Sequence, residues 1–148
     1  DFLQDKEIIV IKGNHDPILK PITEKRNLEL VESYNINNVT VLHGNKILPN
    51  LSKTLIIGHE HPAISLKKGI RVERYNCFLK GKYKDHDLIV MPSFNLLTYG
   101  TNILKEKLLS PFLDNIKNFE VFILEPTEDL NKLSKALYFG KVKDIRKL

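Results

Sequence analysis

The chain has a single cysteine, Cys77, and no apolar run longer than strand-sized stretches such as "LIVM" and "VFIL". One cysteine excludes an internal disulfide and fits a reducing, cytoplasmic compartment. With no neighbouring histidine or second cysteine, Cys77 reads as inert apolar packing in a strand. The short runs exclude a membrane-crossing helix of ordinary length. Internal repeats, low-complexity tracts and linker-like stretches are also lacking, which leaves one domain, or part of one. No acidic excess is present either. Lys and Arg number 23 against 18 Asp and Glu, a net charge of +5. The resulting pI of about 9.2 allows a polyanionic partner without demanding one.

What is present is the composition of a globular protein. The 148 residues are 42% hydrophobic and 28% charged, enough apolar material for a core and too much for a disordered chain. "EIIVIKG" is a nearly continuous apolar run closed by glycine and reads as a buried strand. "PILKPITEKRN" holds two prolines and has room for only a short helical turn. "LELVESYNINNVTVLHG" carries two strand-like runs around Asn37 and Asn38, which tolerate the positive φ of a tight hairpin. "KTLIIGHEHPAISL" gives a further buried strand breaking at Gly58, then an extended segment. "IRVERYNCFLKGKYKDHDLIVMP" gives two strands around a basic turn. "LKEKLLSPFLDNI" is a helical candidate interrupted at Pro111, "FEVFILE" a strand, and Thr127 a cap for a short helix over "EDLNKLSKAL". The expected class is α/β, with much mixed sheet.

Three segments share one local pattern: an apolar strand, then glycine and histidine at its carboxyl end. They are "IIVIKGNHD", "VTVLHG" and "LIIGHEHP". Loops that leave strand ends stand on a rigid platform, and binding sites are commonly built there. Imidazole nitrogens and an amide oxygen suit divalent Mn, Fe, Zn or Co. Asn14, His43, His59 and His61 therefore form a candidate set that converges on one or two cations. Pro62 biases His61 toward an extended backbone, and an extended His59-Glu60-His61 would put both imidazoles on one side, with Glu60 turned away. Blander roles compete at each position. A single strand-end histidine is often a hydrogen-bonded structural residue, and Asn14 and Asp16 are also good turn-capping residues. His86, in the charged turn "KDHD", reads as surface. The basic cluster Lys67, Lys68, Arg71, Arg74, Lys80, Lys82 and Lys84 reads as a solvated hairpin face in preference to a phosphate-backbone contact.

The ordered set "GNHD", "LHG" and "GHEHP" resembles the calcineurin-like metallophosphoesterase superfamily, whose members carry a Gly-Asn-His-Asp/Glu motif, a later single histidine and then Gly-His-x-His. "GHEHPAI", "MPSFNLLTYGTNI" and "FGKVKDIRKL" are similar to the archaeal SbcD-related phosphoesterases. The resemblance runs along essentially the whole chain. It implies a sandwich of mixed β-sheets flanked by helices, and hydrolysis of phosphate mono- or diesters, with nucleic acid a candidate substrate. It also implies two divalent ions, Mn foremost, with Fe, Zn and Co as alternatives. Asn14, His43 and His59 would hold the second ion and His61 the first. His15 would stabilise phosphate oxygens or protonate the leaving alkoxide, with Asp16 orienting its ring. The chemistry is of the two-cation type, paired with a proton donor.

One part of the pattern is missing. The superfamily also uses an Asp-x-His and a Gly-Asp, and neither dipeptide frame occurs in these 148 residues. The expectation is that residues 1–148 are the carboxyl-terminal part of a single phosphoesterase domain, lacking its amino-terminal strands and weakly active or inactive alone. The missing segment would be supplied in cis or in trans. The alternative is a degenerate, non-enzymatic domain that keeps a metal- or partner-binding surface.

Overall fold

The computed structural model describes residues 6–95, 97–124 and 135–146. In chain order its strands are β1 (Ile9–Ile11), β2 (Glu29–Val31), β3 (Ser33–Ile36), β4 (Val39–Leu42), β5 (Thr54–Ile57), β6 (Pro62–Lys68), β7 (Arg71–Tyr83), β8 (His86–Val90), β9 (Thr101–Asn102), β10 (Glu120–Leu124) and β11 (Ala136–Lys141). Two short helices accompany them, α1 (Leu19–Lys25) between β1 and β2, and α2 (Val142–Ile145) after β11.

At the centre, β4, β5 and β8 run parallel and in register, with Leu42 opposite Ile57 and Ile57 opposite Val90. Their carboxyl ends are therefore level. Along β4 and β5 the side chains alternate between buried and half-buried, as a strand with one face on the core requires. Outside this trio β3 adds antiparallel to β4, while β7, β10 and β11 extend the other side antiparallel. The long β7 serves two ladders. Its first half, to Asn76, pairs with β6, and from Cys77 onward it pairs with β10 and β8. β6 in turn takes β9 in parallel. The result is an α/β fold with mixed β-sheets and few helices, consistent with a sandwich. Leu55, Ile57, Leu79, Leu88, Val90, Phe112 and Val121 fill the core. No helix among the described residues is long and apolar enough to cross a membrane.

Several expectations change. "EIIVIKG" does form a strand, but β1 pairs only with β2, in a separate two-stranded parallel sheet, and its residues are half-buried instead of buried. The Asn37–Asn38 hairpin is present, with Asn37 in the left-handed region (φ 52°). The segment 104–116 is not helical. It runs through turns and irregular backbone while inserting Phe112, Leu113 and Ile116 into the core, and its free N–H groups serve other partners. Among the described residues the helices that accompany the sheets are few and short; α1 has 7 residues and α2 has 4. The capped helix from Thr127 falls mostly outside the described residues, and its last positions, Ala136 and Leu137, belong to β11. β11 carries no strand signal in the sequence, because most of its side chains are exposed and show no core-facing alternation.

Candidate metal centre at the strand ends

Level strand ends put two histidine loops side by side. His43 follows the end of β4, and Gly58-His59 follow the end of β5. The Gly58 and His59 N–H groups both donate to the His43 carbonyl, at 3.0 and 2.8 Å, and so carry the pairing one step beyond the ladder. Gly44 then turns with φ 98°, where a Cβ would stand 2.7 Å from Ile57 Cβ. Only glycine lets the chain pass over Ile57 in that conformation.

The side chains meet as a result. His43 Nε2 lies 3.0 Å from His59 Nδ1 and 2.8 Å from Asn14 Oδ1. The two rings pack edge to face with centroids 4.8 Å apart. Burial first, then the neighbouring charge of His59, pushes His43 below the ordinary imidazole range, with Asp16 opposing. Burial also lowers His59, against the opposing charge of Glu60. Both rings are thus biased toward the neutral form, in which each ring offers one lone pair.

Those lone pairs decide what the trio can do. If His43 Nε2 carries a proton, that proton can align on only one of its two neighbours. If it carries none, its single lone pair can accept from the His59 Nδ1–H or from a turned Asn14 amide, and again only one neighbour is well served. Hydrogen bonding alone leaves one contact of the three atoms poorly satisfied. A divalent cation resolves the conflict, since ligands at about 2.0–2.2 Å from a metal stand about 3 Å or slightly more from one another. On donor type and spacing, Asn14, His43 and His59 fit such an ion.

The other expected residues are placed differently. Asp16 Oδ2 accepts from the Gly13 N–H at 3.1 Å, so it caps its own turn, and no hydrogen bond joins it to His15 among the described residues. His15 is exposed. It and His61 are close enough to lower His43 and His59 by their charge. His61 is not extended: its φ is 48°. The reversal from β5 into β6 takes a left-handed residue there, and the Thr101 N–H fixes its carbonyl at 2.9 Å, which outweighs the bias from Pro62. Among the described residues no three His, Cys, Asp or Glu gather closely enough to hold a metal, so His61 does not join His43 and His59 in one shell. Glu60 is turned away as expected, although by burial (1% exposed) and not through an extended backbone.

Residues outside the expected set adjoin the site. A cavity of about 210 Å³ beside Asn14 is lined by Lys12, Glu32, Asn45 and Lys46. Lys46 pairs with Glu32 at 2.7 Å and holds that carboxyl below its usual range. Two lysines on separate segments carry no sequence signature that would have marked them in advance. His86 begins β8, at the end remote from the site; it is half-buried, with Nδ1 2.7 Å from the Ser52 carbonyl, and so is not a free surface residue. Cys77 is fully buried in β7, and burial pushes its thiol up to about 12, consistent with inert packing. Lys67, Arg71, Arg74, Lys80, Lys82 and Lys84 are exposed on the β6–β7–β8 hairpins, and Arg74 pairs with Glu106 at 2.6 Å.

No protein-family profile matches the chain, and no curated protein does. Among solved structures, the chain is similar to the crystal structure of Pseudomonas putida nuclease MPE. The TM-score is 0.54 at 19% identity, covering 88% of this chain and 54% of that one. The chain thus spans about half the length of the nuclease it matches. At that identity the likeness establishes a shared α/β architecture with mixed sheets.

Proposed function

We propose that the chain is part of a divalent-metal-dependent phosphoesterase of the calcineurin-like superfamily, in its archaeal SbcD-related branch, acting on phosphate mono- or diesters. The observation that carries this reading is the contact trio of Asn14 Oδ1, His43 Nε2 and His59 Nδ1, assembled from three loops that each follow a strand. The similar fold of a nuclease makes nucleic acid the favoured substrate class. The branch is argued from "GHEHPAI", "MPSFNLLTYGTNI" and "FGKVKDIRKL".

In this reading Asn14, His43 and His59 hold one cation, and His61 contributes to another. When bound, the ions, Mn foremost, supply charge neutralisation and an activated water. The protein's own residues do the rest. His15 stands exposed beside the trio, where it can contact a phosphoryl oxygen or give a proton to the leaving alkoxide. Asp16 holds the Gly13 turn that carries Asn14 and His15. Lys12 lines the adjoining cavity beside the Lys46–Glu32 pair, which leaves it a net positive charge suited to a phosphate. Residues 1–148 hold no Asp-x-His or Gly-Asp, so the complete reaction is assigned to this chain together with a segment that bears those carboxylates. A second reading, a non-enzymatic domain with a retained metal- or partner-binding surface, draws on the absence of Asp-x-His and Gly-Asp from these residues.

Hydrolysis of an aryl phosphodiester in Mn²⁺ separates the two. Residues 1–148 alone should turn over poorly, and adding the carboxylate-bearing segment in cis or in trans should restore chelator-sensitive activity. In that reconstituted protein His15→Ala should cut turnover sharply with metal content retained, and His59→Ala should remove both. Robust turnover by residues 1–148 alone would overturn the shared-site assignment. A supplemented protein that binds metal but does not hydrolyse the diester would overturn the phosphoesterase reading in favour of the second.

A further inference from the structure

The most heavily buried charged side chain among the described residues is Glu60, at 1% exposure, between the two histidines of "HEH". Its Oε2 accepts the backbone N–H groups of Leu109 and Ser110, at 2.8 and 2.9 Å, across 49 and 50 residues of sequence. Ser110 is itself buried, and its hydroxyl donates to the Gly44 carbonyl at 2.7 Å. Gly44 directly follows His43. One two-residue segment therefore grips the His59–His61 loop through a carboxylate and the His43 loop through a hydroxyl.

We propose that Glu60 and Ser110 are positioning residues, which lock the loops carrying His43 and His59 at the separation the site requires. Two features favour this over plain core packing. Burying a carboxylate is costly, and Glu60 Oε1 finds no hydrogen-bond partner among the described residues, so packing alone does not account for a carboxylate at this place. What the carboxylate adds is charge-assisted, directional bonding to two adjacent N–H groups. Moreover the β4–β5 ladder ends at Leu42 and Ile57, and past that end the two histidine loops are tied directly to each other in the backbone through the His43 carbonyl, which takes the Gly58 and His59 N–H groups. The irregular course of the 104–116 segment has the same explanation, since N–H groups committed to Glu60 are withdrawn from helical bonding.

The link to metal rests on the proposed function, so the test has two arms. The first measures Co²⁺ binding to the full chain. Glu60→Ala and Ser110→Ala should each weaken it at least about ten-fold, as loss of residues that orient ligands does. Glu60→Gln keeps an oxygen for both N–H donors and should recover most of the affinity. The second arm needs no metal. In the metal-free protein, hydrogen exchange of the Gly58 and His59 amides, both bonded to the His43 carbonyl, should accelerate in Glu60→Ala and Ser110→Ala. The amides of Leu55 and Leu88 should not change. If the unsubstituted chain ignores Co²⁺ but the exchange effect is selective, metal binding by residues 1–148 alone fails and the lock stands. If the variants bind Co²⁺ like the parent, or exchange rises equally everywhere, the positioning role is refuted. Should Glu60→Ala fail to fold, Ser110→Ala and Glu60→Gln still decide the matter.

Discussion

β4 and β5 are held from both sides in the large sheet and bury Leu42, Leu55 and Ile57 to 2% exposure or less. Among the described residues β1 and β2 have only each other as strand partners, and the three residues of β1 are all half-buried. The candidate site draws on both regions. His43 and His59 stand on the first, and Asn14, His15 and Asp16 hang from the second. The contact trio of Asn14, His43 and His59 thus has two members on a stiff platform and one on a lightly anchored flap. A site so divided lets Asn14, His15 and Asp16 move without loss of the histidine pair.

The largest expected effect tests the platform directly. Ile57→Ala removes a fully buried side chain from beneath Gly44 and should destabilise the chain by about 2–5 kcal/mol. Ile9→Ala, in the half-buried flap, should cost about 1 kcal/mol. Chemical denaturation of both variants measures the difference, and equal losses would mean that the two regions are not mechanically distinct.

A smaller effect is expected at the donors themselves. His43→Ala should reduce Co²⁺ affinity by about a hundred-fold, whereas Asn14→Ala should reduce it by about ten-fold, because a compliant donor contributes less pre-organised binding. Calorimetric titration would sharpen the comparison. A loss at Asn14 as large as that at His43 would place the flap on a par with the platform.

The smallest effect is on pH dependence. His43 and His59 are both held below the ordinary value of 6.5, chiefly by burial. The folded chain therefore binds these protons less readily than the unfolded chain. The associated stability is fully present above about pH 6.5 and is lost as pH falls through the lowered folded values. Replacing both histidines with Asn should flatten the stability profile below pH 6.5, as read from denaturation midpoints across pH. An unchanged slope would show that the platform histidines do not titrate with the fold.

Much of this arrangement is legible in the sequence. The runs before Gly58 and Met91 and around Asn37-Asn38 mark β5, β8 and the β3–β4 hairpin, because strand periodicity and positive-φ turn residues are local properties. The "GNHD", "LHG" and "GHEHP" segments mark Asn14, His43 and His59 for the same reason: a glycine and a ligand-type residue after an apolar run is a pattern of neighbours. "LKEKLLSPFLDNI" shows where local reading stops. Its apolar spacing suits a helix, but Phe112, Leu113 and Ile116 satisfy that spacing by entering the core from turns.

By itself, then, the sequence determined which residues have metal-ligand chemistry and which of them end strands, since both follow from residue type and short-range order. Tertiary structure alone decided their separation. The parallel register levels Leu42 with Ile57 and brings His43 Nε2 to 3.0 Å from His59 Nδ1. The reversal at His61, with φ 48°, keeps that residue out of the pair's shell. Glu60 changes from a residue turned aside to the anchor of Leu109 and Ser110. These outcomes depend on contacts between segments far apart in the chain. Such contacts form only where the packing of the whole sheet allows them, and no local pattern encodes that packing.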